Sequence, residues 1–543
     1  MCGIFAVCHA ASLKCERYNL AKAQEHSGRQ MHRGPDYRGA YQNPATGDIL
    51  CHERLAIMDL ACVQPLQGSA PSHQVVHNGE IYNYAVLHSG ELASMQLRTT
   101  CDSEVLIFLY EKYRDGSICS LLDGVFAFAL IHDGEFLAAR DPIGVKQMYF
   151  GIDGEGRHFF SSEMKSIEDI CGAVRVSAFP PGHFFQPEKG FVRYYQPAWI
   201  DHRLGTRSVD LPALRSAFVS AVTKRLMSDA PLGLLLSGGL DSSLTSAVAT
   251  REMRRRGLPI HTFSISVDAR SPDAVAARRV ADFLGTQHHE CHFTPEQGIA
   301  ALDQIIWHLE TYDLMSIRSA TPLFFLSKEI RDCGIKVVLA GEGSDEIFGG
   351  YLYFHNAPSD EDFQMETIDH VLNLSTNDCL RADKACMAHA VEVRVPFLDK
   401  AFLDVAMLTE AAAKRPQQHE GRAVEKFLIR KAFDVEDDPY LPKEVLWRQK
   451  EQFADGVGYS WVDSLVEHCA AKISDQDLAQ AATEFPFNTP HSKEALYMRR
   501  CFHRHFPSAE AARTVRKWLP KWQNSQDPSG RTSLLHNHSI HSG

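Results

Sequence analysis

Apolar positions along this chain follow two rhythms. From residue 2 to about 195, short β-type runs (CGIFAV, ILCHERLAIMDL, HQVVHNGEIYN, VFAFALI, EFLAARD, HFFSSE and GHFFQP) are separated by turns rich in Gly, Pro and Asp. Helical spacing is confined to a few segments such as SEVLIFLYEKY, so this half predicts a sandwich of antiparallel sheets with helices outside. From LPALRSAFVSAVTKRLM onward, helical stretches alternate with the apolar strands LGLLL, IHTFSIS and IKVVLAG. Buried strands between helices predict a parallel α/β sheet. The change of rhythm falls between residues 196 and 208. Beyond about residue 400 the pattern is mostly helical, and from Ser525 it is polar and expected to fray. The fold class is an α/β multidomain protein.

Length agrees, because 543 residues exceed what one hydrophobic core organises. The net charge of −12 argues against broad nucleic-acid or anionic-membrane surfaces, which need a basic face. A small anion needs only a local positive pocket. Fourteen cysteines without CxxC pairs give neither a zinc pattern nor a small secreted disulfide framework. There is no basic leader before a long apolar region and no apolar run of about eighteen residues. The expectation is a cytoplasmic protein with reduced thiols.

The opening MCGIFAV places Cys2 behind the initiator methionine. It reads either as a buried strand that starts with Cys or, once Met1 is removed, as a thiol and a free α-amine on one residue, the amine serving as general base. HRGPD, HERLAIMD, HNGEIYN and CDSE gather polar residues in turns between apolar strands. Each alone reads as turn chemistry. Together with Cys2, in this order and approximate spacing, they resemble the class II glutamine amidotransferase domain, an N-terminal-nucleophile hydrolase, over residues 2 to about 190. The resemblance implies that Cys2 attacks the glutamine side-chain amide. It also implies an oxyanion hole from the Asn78 side chain and the Gly79 N–H, with Arg54 forking to the α-carboxylate. Asp102, helped by Glu80, would take the α-ammonium. His77 is expected to be solvated or at a strand edge.

In LLLSGGLDSS a buried strand runs through two glycines into a helix, an arrangement that turns backbone N–H groups toward phosphate. No Lys follows the glycines, so it is not a P-loop. The wording resembles the pyrophosphate loop of adenylating ATP pyrophosphatases, which implies ATP contacts from Leu236, Ser237, Gly238, Gly239, Asp241 and Ser242, with Ile265 beside the adenine. VVLAGEGSDEIFGG puts Gly341, Glu342 and Asp345 at the carboxyl end of a strand, where open parallel sheets bind ligands. Asp241 and Asp345 are candidate Mg²⁺ ligands and Glu342 a candidate catalytic carboxylate. Lys450 of WRQKEQF would approach the phosphates in a related protein. VEVRVPFLD reads mainly as core packing, with Arg394 a weaker site candidate.

The two halves together resemble the glutamine-hydrolysing asparagine synthetases over roughly residues 2 to 535, including ETYD, GYLYFHNAP, LRADK and DPSGR. The resemblance implies a glutaminase domain at 2–195, an adenine nucleotide α-hydrolase-type synthetase domain at 209–530 and a polar tail at 531–543. It further implies glutamine, aspartate and ATP as substrates, Mg²⁺ with the ATP, an aspartyl adenylate, an internal ammonia route and a homodimer. Two positions depart from the family. A usual threonine pair followed by arginine is here Met315 and Ser316, then Arg318, and Ala340 stands where serine usually precedes GEGSDE. Two alternatives stay open: a synthetase acting on another carboxylic acid, as β-lactam synthetases do, and a glutaminase with an idle synthetase site.

Overall fold

A computed structural model describes residues 2–9, 17–450 and 453–523. Met1, Glu451 and Gln452 of the KEQF segment, the DPSGR stretch and the polar tail lie outside the described residues.

The first strand, Gly3–Cys8, is buried along its length and sits inside a six-stranded antiparallel sheet between Ile49–Arg54 and His158–Ser161. Its side chains alternate between two cores. Ile4, Ala6 and Cys8 meet Val76, Ala127, Ala129 and Phe160 between this sheet and a second one, while Phe5 and Val7 face the other way onto Ala23 and Phe159. Burial on both faces is why GIFAVC is continuously apolar rather than alternating. The second antiparallel sheet centres on Gly124–His132, paired with Glu135–Arg140 and with His73–Ile81. Helix Glu104–Tyr113 covers its outer face. The amino-terminal part is thus a sandwich of two antiparallel sheets with external helices.

Two short 3-10 turns, Ala198–Ile200 and His202–Leu204, lead to helix Leu211–Lys224 and a five-stranded sheet that is parallel throughout. Its order is Gln287–His292, His261–Ser266, Leu232–Leu235, Val337–Leu339, Glu392–Arg394. Starting from Leu232–Leu235, the chain adds two strands on one side, then returns to add two on the other. The switch point lies between Leu232–Leu235 and Val337–Leu339, and the SGGLDS and GEGSDE loops leave those two neighbouring strands side by side. The rest is mainly helical, with one small hairpin at Gln417–His419 and Arg422–Val424.

Buried charges join the two parts. Arg33 reaches Glu163 at 3.0 Å and Asp383 at 2.9 Å, and Glu310 accepts the backbone N–H groups of Met164 and Lys165 at 2.7 Å each while pairing with Lys384. No described helix is long and apolar enough to cross a membrane.

Candidate active sites

Cys2 heads the first strand and is 6% exposed. Its backbone nitrogen donates to Asn78 Oδ1 at 3.0 Å. With the oxygen so engaged, Asn78 Nδ2 is a buried donor that no hydrogen bond satisfies among the described residues. Next to it Gly79 adopts φ +146°, and a Cβ there would sit 2.0 Å from the Val125 carbonyl oxygen, so the backbone comes close only because the residue is glycine. Arg54 is held by the carbonyl oxygens of Met58, Asp59 and Leu60 at 3.2, 2.7 and 3.1 Å. Asp102 accepts the Ile81 N–H at 2.7 Å. Burial pushes the carboxyls of Asp102 and Glu80 up, the environment that a buried ammonium would relieve. Cys2, Arg54, Gly79, Glu80 and Asp102 line one cavity of about 20 Å³.

Burial raises the Cys2 thiol, with the Leu55 carbonyl 3.8 Å from Sγ. His77, expected to be solvated or at a strand edge, lies within strand His73–Ile81 and is buried, lining the same cavity with its Nδ1 2.7 Å from Ser103 Oγ. Burial pushes both His77 and its neighbour His52 down to about 3. Both imidazoles are therefore neutral at physiological pH, since their environment penalises the cation.

At the switch point of the parallel sheet a cavity of about 160 Å³ collects the second set of candidates. Leu236, Ser237, Gly239, Asp241 and Ser242 enter from the first loop and Ile265 from the adjoining strand. Ala340, Gly341, Glu342 and Asp345 enter from the third strand and its loop, and Lys450 from the helical part. Gly238 shapes the loop without lining the cavity. It takes φ +78°, and a Cβ would meet the Ala277 backbone nitrogen at 2.4 Å. Ser242 Oγ lies 3.0 Å from Ser237 Oγ, so the loop is braced before any phosphate arrives.

Charge in this cavity is arranged around a residue that sequence reading missed. Lys426, 1% exposed, places Nζ 2.5 Å from Asp241 Oδ2 and 2.7 Å from Asp345 Oδ1, while Lys450 Nζ lies 2.8 Å from Asp345 Oδ2. Burial alone would raise the Asp345 carboxyl, but the two lysines hold it well below the usual range. Burial opposes the Lys450 cation as well, and Asp345 outweighs it, pushing the ammonium up. Burial raises Glu342, 3.6 Å from Arg381. Asp241 Oδ1 is buried without a hydrogen-bond partner, a free carboxylate oxygen that suits a hard divalent cation.

The three weaker candidates separate. Met315 and Ser316 line the cavity from helix Leu314–Asp332, together with Ser319 and Leu323. Arg318 does not: two residues on from Ser316 it faces away, and its guanidinium forks to buried Glu494 at 2.9 and 2.6 Å. Arg394 lines neither cavity. It lies buried where the parallel sheet meets the amino-terminal part, 2.9 Å from Glu80 and 2.5 Å from Glu392. It thus braces Glu80 of the first cavity and lies outside the second.

The chain matches the glutamine amidotransferase domain family over residues 1–184 and the asparagine synthase family over residues 213–367 and 356–526. It is 47% identical over 560 residues to a probable glutamine-hydrolysing asparagine synthetase of Dictyostelium discoideum, covering 99% of each chain. It is 44% identical over 561 residues to the enzyme of Brassica oleracea, covering 98% of this chain and 94% of that one. To the second such enzyme of Arabidopsis thaliana it is 46% identical over 560 residues, covering 98% and 95%. With similarity running through both cavities and nearly the full length, the chain belongs to the family of glutamine-hydrolysing asparagine synthetases.

Proposed function

We propose that this chain makes asparagine from aspartate at the expense of ATP, with nitrogen taken from glutamine in its own amino-terminal cavity. The observation that carries the reading is the coexistence, in one chain, of an unsatisfied Asn78 donor beside Cys2 and a charged cradle of Asp241, Lys426, Asp345 and Lys450 beside the SGGLDS loop.

In the first cavity Cys2 Sγ attacks the carboxamide carbon of glutamine while the α-amine freed by loss of Met1 takes the thiol proton. Asn78 Nδ2 and the Gly79 N–H receive the oxyanion, the C–N bond breaks as the α-amine passes that proton to the nitrogen, ammonia leaves and water hydrolyses the thioester to glutamate. Arg54 and the Glu80–Asp102 pair hold the two ends of the amino acid. In the second cavity a β-carboxylate oxygen of aspartate attacks the α-phosphorus of ATP and pyrophosphate leaves. The SGGLDS amides, Lys426 and Lys450 meet the charge on the departing phosphates. Asp241 and Asp345 would hold Mg²⁺, which supplies further neutralisation of the phosphate oxygens. Ammonia then displaces AMP from the β-aspartyl adenylate. Glu342, whose carboxyl burial raises, is suited to take the proton that the nitrogen sheds.

All 13 described cysteines are free thiols, which supports a reducing, cytoplasmic setting. Assembly as a homodimer rests on the family resemblance, and sedimentation of the purified chain tests it. The deciding experiment for the reaction is pyrophosphate release with Mg-ATP and ammonia, with and without aspartate, the product identified by mass spectrometry. Aspartate-dependent pyrophosphate and asparagine are expected. Cys2→Ala should abolish synthesis from glutamine and leave synthesis from ammonia. Release driven by a different acid, or none in folded protein that still hydrolyses glutamine, overturns the reading.

A further inference from the structure

A third cavity, of about 350 Å³, opens on the Arg318 side of helix Leu314–Asp332, and no group of the proposed reactions acts from it. It shares Asp313 and Trp518 with the nucleotide cavity as a common wall. Val466, Ala470, Pro490 and Leu519 give it an apolar lining, with Val466 and Leu519 exposed at its mouth.

Its cations are what ask for an explanation. Arg499 is 5% exposed, with its guanidinium 4.4 Å from the ring centre of Tyr312 and 4.6 Å from that of Phe485. Its Nε and Nη1 are buried and make no hydrogen bond among the described residues. Arg318, in the same wall, has Glu494 as its counter-charge. Neither Arg499 nor Lys517 has a carboxylate within ion-pairing distance among the described residues. Lys517 Nζ instead donates to the Thr489 carbonyl at 2.8 Å. Helix Lys493–His505 also begins at this cavity. Ser492 caps only the Ala495 N–H, at 3.1 Å, and Lys493 and Glu494 form part of the lining. The first-turn amides therefore add positive potential to the same space.

A buried guanidinium with unmade hydrogen bonds is costly: the faces of Tyr312 and Phe485 meet the charge of Arg499 but leave its N–H donors without acceptors. We propose that this cavity is a second anion-binding site, separate from the nucleotide cavity, for a small organic anion whose carboxylate or phosphate meets Arg499 and Lys517 while a compact apolar body packs against the apolar lining. The apolar lining with a few convergent polar groups is the usual make-up of a small-molecule site.

Calorimetric titration of the full chain with phenyl phosphate and with phenylacetate tests this, with phenol as the uncharged control. Saturable binding of at least one anion and none of phenol is expected. The preferred probe tells phosphate from carboxylate recognition. Binding should weaken about tenfold or more in Arg499→Gln, the loss of one charge-assisted contact, and should persist in Lys450→Gln, which alters only the nucleotide cavity. Circular dichroism checks that each variant folds. Where Arg499→Gln does not fold, Lys517→Gln at the rim must show the weakening instead. No saturable binding of either anion, binding indifferent to the Arg499 and Lys517 substitutions, or binding lost in Lys450→Gln each overturns the proposal.

Discussion

Lys426→Met keeps an aliphatic stem of similar length and deletes the charge between Asp241 and Asp345. In the native chain Nζ lies 2.5 and 2.7 Å from their oxygens, and Lys450 reaches only the far oxygen of Asp345. Without Lys426, Asp241 loses the only cation paired with it among the described residues, and two half-buried carboxylates face one another. Removing one partner from a buried ion pair costs about 3–5 kcal/mol, because the remaining charge stays desolvated. Two outcomes follow. The unfolding midpoint falls, and Mg²⁺ restores more of it than in the parent chain, since a divalent cation on Asp241 and Asp345 supplies the missing charge. Aspartate-dependent pyrophosphate release driven by ammonia falls by about a hundredfold or more if some 3 kcal/mol of that loss is expressed where phosphate charge develops. Glutaminase activity, read on the same preparation, stays near the parent value because Cys2 and its pocket lie in the other domain. Pyrophosphate release within about threefold of the parent, a change under 1 kcal/mol, would refute the assignment of Lys426 to the phosphate cradle. An equal fall in both activities would show a general folding defect instead.

Asn78→Ala should lower glutamine turnover by about a hundred- to a thousandfold, the usual cost of one oxyanion donor, and leave ammonia-driven synthesis intact; steady-state assays with each nitrogen source check it. Burial holds His52 at about 3 against an ordinary value near 6.5, so the unfolded chain takes up a proton that the folded chain refuses. The stability tied to His52 is therefore complete above about 6.5 and drains away as the pH falls toward about 3, and His52→Gln should flatten the loss of denaturation midpoint between about pH 7 and about pH 5. Met315 packs against the cluster of Tyr351 and Trp518 at the nucleotide cavity, where a hydroxyl could donate. Met315→Thr should raise the rate of adenylation by up to about tenfold, the worth of one hydrogen bond, and an unchanged rate in pyrophosphate exchange would remove the first hydroxyl from the site.

Several features were legible because their residues are neighbours in the chain. SGGLDS and GEGSDE each carry a strand end, a glycine turn and their polar groups within a few residues, so the local sequence fixes the local shape. The same holds for Asn78, Gly79 and Glu80, consecutive on strand His73–Ile81. Helical geometry accounts for one candidate that moved. Met315, Ser316, Ser319 and Leu323 share a helix face, and Arg318 points off it to Glu494, which is 176 residues further on. His77 reads as solvated or at a strand edge because a histidine beside Asn-Gly resembles turn chemistry. Its burial comes from neighbours that the strand meets only after folding.

What the sequence by itself determined is therefore the two-part architecture, from the change in apolar rhythm, and the chemistry of each motif, from residues whose spacing the backbone alone converts into geometry. Tertiary structure decided the charge pairing. Lys426 with Asp241, Arg394 with Glu80, Arg33 with Asp383 and Arg318 with Glu494 are joined across 185, 314, 350 and 176 positions of chain. In each pair a lone cation carries no local mark of its partner. Burial, which makes such pairing necessary, arises only when distant elements pack and exclude water.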